Sequence, residues 1–266
     1  MLCFSNARNI TGIYQLLISI NNLFPSFMNP NPDLAIILPL YNPHPGWDTE
    51  IVSSLDNLKK EFSGVDYCVT IVNDGSAVEV ESIIKSKILP AYNNLNYLGY
   101  SENQGKGFAI RHGLKFTYSG YYIYSDFDFP FGIIPLKKMY EKLSAGNYNL
   151  VIATRDFSSV YKNSPVRRKI LSLGLMTINF IITGSRIRDT QAGLKGLDNK
   201  AKNIFLTTKT NSYIFDLEFI LKCLKEDLKF NLLQVMVNRN IKFTNFNSGI
   251  IKREIKNYIK IILGRI

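Results

Sequence analysis

Residues 34–40 read Leu-Ala-Ile-Ile-Leu-Pro-Leu, and residues 67–76 read Tyr-Cys-Val-Thr-Ile-Val-Asn-Asp-Gly-Ser. Each is a short apolar run that closes on polar or turn-forming residues, as expected of strands buried on both faces of a parallel sheet. Between them, Asp48 to Phe62 carries Ile51, Leu55, Leu58 and Phe62 at helical spacing. The rhythm continues outward. A helix is expected from about Val78 to Leu89, stopped by Pro90, then a strand at Leu95–Tyr100 and a helix at Gly107–Phe116. Further strands are expected at Tyr121–Tyr124, Leu150–Ala153 and Leu232–Asn238, with helices over Ile170–Ile182 and Phe215–Leu224. Alternating strands and helices predict an α/β fold: a Rossmann-like, mostly parallel sheet flanked by helices, in a single domain. In such sheets ligands bind at the carboxyl ends of the strands. Tyr41-Asn42, Asn73-Asp74, Asn103–Gly107 and Asp126 with Asp128 all fall there.

The chain has 266 residues and 32 Lys+Arg against 21 Asp+Glu, a net charge of +11 that favours anionic partners. Nucleic acid would explain the charge but not the ordered motifs, so it is not expected as a partner. Cys3, Cys68 and Cys223 show neither metal-type nor disulfide-type spacing, and His44 and His112 are too few for a histidine-rich metal site. Residues 1–32 read as an N-terminal extension, 33–240 as the α/β domain and 241–266 as a basic amphipathic tail. In that tail Lys252, Arg253, Lys256, Lys260 and Arg265 interleave with Ile255, Tyr258, Ile259 and Ile262, which suits a helix on an anionic membrane surface or one packed on the core. No apolar run reaches the roughly 18 residues of a membrane span. A cytoplasmic protein, peripheral on the inner face of the membrane, is the expectation.

Asp126-Phe127-Asp128 places two hard oxygen donors two residues apart, which on an extended segment share one side and one Mg²⁺ or Mn²⁺. Such an ion would neutralise charge on a departing diphosphate. Asp74 at a strand end suits a nucleotide's base or ribose. The backbone N–H groups of Asn103–Gly107 and the Lys106 ammonium, ahead of a helix, suit a phosphate. Arg155, Arg167, Arg168 and Lys169 precede an apolar helix and suit an anionic head group. Asp216 and Glu218 read as an exposed first helical turn.

Taken in order, the segments IILPLYN, VNDGS, NQGKG, SDFD, ATR, VRRK, RDTQAGLKG and FDLEF resemble glycosyltransferase family 2, the GT-A fold group. Within it they are similar to the polyprenyl-phosphate sugar synthase branch, which includes dolichyl-phosphate glucose and mannose synthases. The resemblance implies that Pro39, Leu40, Tyr41, Asp74, Lys106 and Asp126 bind the nucleotide-sugar and that Asp126 and Asp128 hold the cation. It implies an acceptor phosphate on Arg155, Arg167 and Arg168, with Asp189, Gln191 and Asp216 lining the acceptor side. Asp128, Asp216, Arg155 and Arg168 are then the expected catalytic residues. Relatives often carry Glu where this chain has Pro43, and Gln or His where it has Pro130; the second change removes a candidate metal ligand.

The expected activity is inverting transfer of a sugar from a nucleotide-sugar to a polyprenyl (undecaprenyl or dolichyl) phosphate. A phosphate acceptor is already ionised near neutral pH and needs no general base, whereas a sugar hydroxyl would need Asp216 or Asp189. The competing readings are a family-2 transferase extending a cell-surface polysaccharide, a nucleotidyltransferase, and a non-catalytic nucleotide-sugar-binding protein.

Overall fold

The computed structural model describes residues 32–156, 176–184, 186–212, 214–237 and 256–261, together with positions 174, 254, 263 and 264. The N-terminal extension up to residue 31, Arg167, Arg168, Lys169 and much of the basic tail lie outside the described residues.

Seven strands form one sheet in the order β3-β2-β1-β4-β6-β5-β7. They are β1 (Leu34–Leu40), β2 (Tyr67–Asp74), β3 (Leu95–Tyr100), β4 (Tyr121–Tyr124), β5 (Leu150–Arg155), β6 (Lys195–Leu197) and β7 (Phe230–Val235). β1 pairs in parallel with β2 and β4, β2 with β3, and β5 with β7. Only β6 is reversed, lying antiparallel between β4 and β5. The mostly parallel sheet agrees with the sequence; the three-residue β6 was not foreseen, because so short a segment shows no period.

Alternation along β1 divides the core. Leu34, Ile36, Leu38 and Leu40 face one side, where α1 (Trp47–Glu61) and α4 (Ile134–Ser144) bury Ile51, Leu55, Leu58, Leu136 and Met139. Ala35 and Ile37 face the other, against α3 (Lys106–Phe116), α5 (Asn199–Leu206) and α6 (Phe215–Lys225). The expected Val78–Leu89 helix begins as α2 (Val78–Ile83) and then widens into a π turn over Ile84–Ile88, burying both isoleucines. α3 lies directly on the sheet: a Cβ at Gly113 would come 2.5 Å from Ile37 Cγ2 and 2.9 Å from Val72 Cγ2. That close approach delivers the first residue of α3, Lys106, to the carboxyl ends of β1 and β4.

Cys68 and Cys223 are buried free thiols, as the sequence implied, and burial pushes Cys68 up to about 12. In the C-terminal segment, Tyr258 and Ile261 pack on Ile214 and Leu217 of the α6 region, and Tyr258 donates a hydrogen bond to Asn179 Oδ1 at 2.6 Å. The apolar face of this stretch therefore covers core, while Ile259 and Leu263 point outward.

Candidate active site

The loops at the strand ends are tied to one another by short polar contacts. Asn42 donates its backbone N–H to Ser76 Oγ at 2.9 Å, joining the loop after β1 to the loop after β2. Asp74 ends β2, and its carboxylate accepts from Gln104 N at 2.7 Å, Gly105 N at 3.0 Å and Asn103 Nδ2 at 2.9 Å. Gly75 (φ 71°) permits this closeness, since a Cβ there would lie 2.5 Å from Asn103 N. A carboxylate spent in this way shapes the Asn103–Gly105 loop, while Asp74 still lines the cleft beside it. Three of the five backbone donors expected to meet a phosphate are committed: those of Gln104 and Gly105 to Asp74, and that of Gly107 to Asn211 O at 3.0 Å. What this loop turns toward the cleft is the Lys106 ammonium.

Lys106 pairs with Asp126. Burial alone would lower its pKa, but Asp126, helped by Asp216 and Asp128, raises it above the usual lysine range. β4 stops at Tyr124, and the Asp-Phe-Asp segment is not extended: Phe129 N–H closes a turn on Asp126 O at 3.1 Å, with Phe129 at φ 44°. Strand alternation therefore does not place the two carboxylates; the turn brings both to one cleft. Phe127 packs on Trp47, ring centroids 5.8 Å apart, which leaves the aspartates beside apolar walls. Burial, then the neighbouring Asp126 charge, raises Asp128 above the ordinary carboxylate range.

Two cavities meet at Lys106 and Asp126. The smaller, about 280 Å³, is walled by Pro39, Leu40, Tyr41, Asp74, Asn211 and Ser212. The larger, about 510 Å³, runs past Asp128 and Pro130 to Arg155 and Gln191. Among the described residues no group of three or more His, Cys, Asp or Glu side chains is placed to share a metal ion. The residues nevertheless fit a hard divalent cation. Two carboxylates on apolar walls call for positive charge, and Gly193 leaves space that a Cβ would take from the Asp126 carboxylate.

At the far end of the larger cleft, Arg155 at the end of β5 meets Asp189 through Nε (2.8 Å) and Nη2 (2.9 Å), and its backbone N–H adds a third bond at 3.0 Å. Burial would raise Asp189, but these Arg155 bonds outweigh it and hold the carboxylate below its usual range. Gln191 lines the same cleft, and its backbone N–H bonds Asp189 Oδ1 at 3.2 Å.

Asp216 and Glu218 are not an exposed helix turn. Both are buried, and each is bonded inside the protein. Asp216 takes Tyr124 OH on one oxygen and Lys195 Nζ on the other, the latter at 3.1 Å, so it lies beneath the floor and lines neither cavity. Its expected direct catalytic role has no surface to act through. Glu218 accepts from Lys209 N (3.0 Å) and Thr210 N (2.8 Å), while Arg111 bonds Thr208 Oγ1 (2.9 Å) and Asn211 Oδ1. These contacts fix the 207–212 loop that supplies Asn211 and Ser212. Sequence reasoning missed Lys195, Arg111, Asn211 and Ser212. A lysine inside the apolar Leu194–Leu197 segment was the one signal available.

The model of the family described as "Glycosyl transferase family 2" matches residues 35–205, which contain Asp74, Lys106, Asp126, Asp128, Arg155 and Asp189. The chain belongs to glycosyl transferase family 2. It is 26% identical over 224 residues to the dolichyl-phosphate beta-glucosyltransferase of Trichomonas vaginalis, covering 81% of this chain and 69% of that one. It is 25% identical over 222 residues to the Saccharomyces cerevisiae protein of that name, covering 76% and 66%. The Drosophila melanogaster counterpart is 28% identical over 232 residues, covering 80% and 69%. The chain thus spans about two thirds of the length of these relatives. Glucosyl-3-phosphoglycerate synthase from Mycobacterium tuberculosis, solved with Mn²⁺, uridine diphosphate and glucosyl-3-phosphoglycerate, superposes with a TM-score of 0.60. It shares 14% identity over 92% of this chain and 83% of that one. Family and likeness together make this family-2 glycosyltransferase a GT-A fold.

Proposed function

We propose that this family-2 glycosyltransferase moves a sugar, with inversion, from a nucleotide-sugar to the phosphate of a polyprenyl phosphate. The observation that carries the acceptor class is that neither carboxylate expected as a base, Asp189 or Asp216, lines the larger cleft or is without a partner. Asp189 is held by Arg155, and Asp216 by Lys195 and Tyr124. Glu50 sits at the exposed rim, 3.3 Å from the His44 ring. A hydroxyl acceptor needs a base placed over the reacting carbon, and neither Asp189 nor Asp216 is available as one. A phosphate acceptor needs none. The names of the curated relatives support the same class.

In this reading Pro39, Leu40 and Tyr41, with Asn211 and Ser212 opposite, seat the nucleoside in the smaller cavity. Asp74 fixes the loop that carries Lys106, and the ammonium meets diphosphate charge. Asp126 and Asp128 would hold Mg²⁺ or Mn²⁺, which when bound neutralises charge building on the leaving nucleoside diphosphate. Arg155, aimed by Asp189 and near Gln191, orients the acceptor phosphate; Arg167 and Arg168, outside the described residues, are expected to add positive charge for it. One of its oxygens bonds the anomeric carbon as the bond to the diphosphate oxygen breaks, and the electron pair leaves with the diphosphate. The protein contributes placement and fixed charge, not proton transfer.

No helix among the described residues is long and apolar enough to cross a membrane. The net charge of +11 is what supports action at an anionic membrane face, where lipid phosphate and nucleotide-sugar meet.

The test is incubation with Mn²⁺, vesicles carrying polyprenyl phosphate, and labelled nucleotide-sugars taken in turn. Label is expected in an acid-labile lipid product, with release of nucleoside diphosphate. Transfer to a soluble saccharide, with none to lipid for any sugar, would contradict the acceptor.

A further inference from the structure

Lys195 belongs to none of the groups placed in the clefts above, yet it is fully buried in β6. Its ammonium donates to Ala192 O at 2.7 Å and lies 3.1 Å from Asp216 Oδ2. The second oxygen of Asp216 takes the Tyr124 hydroxyl. Each element tied to this ammonium continues into a wall of the site. Tyr124 closes β4 two residues before Asp126. Asp216 lies in the first turn of α6, four residues after Ser212. Ala192 precedes Gly193, where a Cβ would overlap Asp126 Oδ2 and approach Lys106 Nζ to 3.1 Å.

We infer that Lys195 is a positioning residue for the donor site: by holding Ala192 O and Asp216 together, it sets the Gln191–Gly193 segment against the Asp126 carboxylate. A buried ion pair of this kind adds little net stability over an apolar pair of similar size, so stability alone does not explain an ammonium there. What an apolar residue cannot do is bind a backbone carbonyl and a carboxylate at once, in one geometry. Burial disfavours charge on both partners, lowering Lys195 and raising Asp216, and each charge offsets part of that for the other.

The inference rests on the proposed donor site, and the experiment separates the two. Binding of UDP and of GDP, each with Mn²⁺, is measured by calorimetry beside thermal melting for wild type and two variants. Lys195→Met with Asp216→Leu removes both charges together and leaves no unpaired ion. Gly193→Ala keeps Lys195 and instead intrudes on Asp126, where only side-chain ends must move. The double variant is expected to melt within a few degrees of wild type and to bind the nucleotide about tenfold more weakly, the usual effect of removing a support behind a ligating group. Gly193→Ala is expected to melt as wild type with a similar loss of affinity. A folded double variant that binds as wild type overturns the inference. So does wild-type binding by Gly193→Ala, even if the double variant fails to fold, because the segment then has no bearing on Asp126. Absence of binding by the wild-type protein would instead overturn the donor site itself.

Discussion

At the residue scale, Asp128 sets stability against function. Folding raises the Asp128 pKa, through burial and then Asp126, so the folded state favours its protonated form. That term weakens the fold as pH rises from the ordinary carboxylate range through the raised value. Asp128→Asn is therefore expected to raise the melting temperature of the ligand-free protein at neutral pH while abolishing Mn²⁺-dependent nucleotide binding. A lower melting temperature would show that the carboxylate is not strained. Asp189 has the reverse sign: its pKa is depressed, so its contribution is present above the ordinary carboxylate range and lost as pH falls from there through the depressed folded-state value. Asp189→Asn should cost about 2 kcal/mol at neutral pH, less than a fully buried pair because Arg155 is partly open to water. Urea unfolding at about pH 7 and about pH 3 should show the gap between wild type and variant closing in acid. Asp126, Asp128, Lys106 and Arg155 could be picked out of the sequence because their types suit phosphate and metal chemistry. Lys195 and the true state of Asp216 could not: whether a charge is buried depends on which distant elements cover it.

At the element scale, the longer strands were readable as short apolar runs closed by turn residues, and the helices from apolar spacing at period 3.6. β6 has three residues and reverses direction, and no local signal records that. The Asp126–Asp128 turn and the 207–212 loop were hidden for a related reason: their shape comes from bonds to Phe129, Glu218 and Arg111, not from their own periodicity. Two predictions belong here. Gly113→Ala should gain up to about 1 kcal/mol in helix propensity, but its Cβ meets Ile37, a stiff β-branched side chain held between sheet and helix. Overpacking costs about 1–3 kcal/mol and should win, giving a net loss readable in urea. Glu218→Gln replaces a carboxylate that accepts from Lys209 and Thr210. It is expected to loosen the Asn211–Ser212 wall, seen as faster hydrogen exchange in the 207–212 loop and weaker nucleotide binding.

At the scale of the whole molecule, the parallel sheet gathers the strand-end loops of β1, β2, β4 and β5 along one edge, and the site follows from that gathering. In the proposed reading the donor would lie where β1 and β4 end and the acceptor phosphate at Arg155 where β5 ends, with the reversed β6 bringing Gly193 and Lys195 between them. The basic surface leads to a further expectation: binding to anionic vesicles in low salt, falling as salt rises beyond about 0.15 M, measured by co-sedimentation. The account stands most directly on nucleoside diphosphate meeting a divalent cation at Asp126 and Asp128, a claim that calorimetry addresses with UDP and GDP, with Mn²⁺ and with EDTA. Binding by wild type that requires Mn²⁺, and is absent in Asp128→Asn, is the predicted result. Equal binding in EDTA, or unchanged binding by Asp128→Asn, would contradict it.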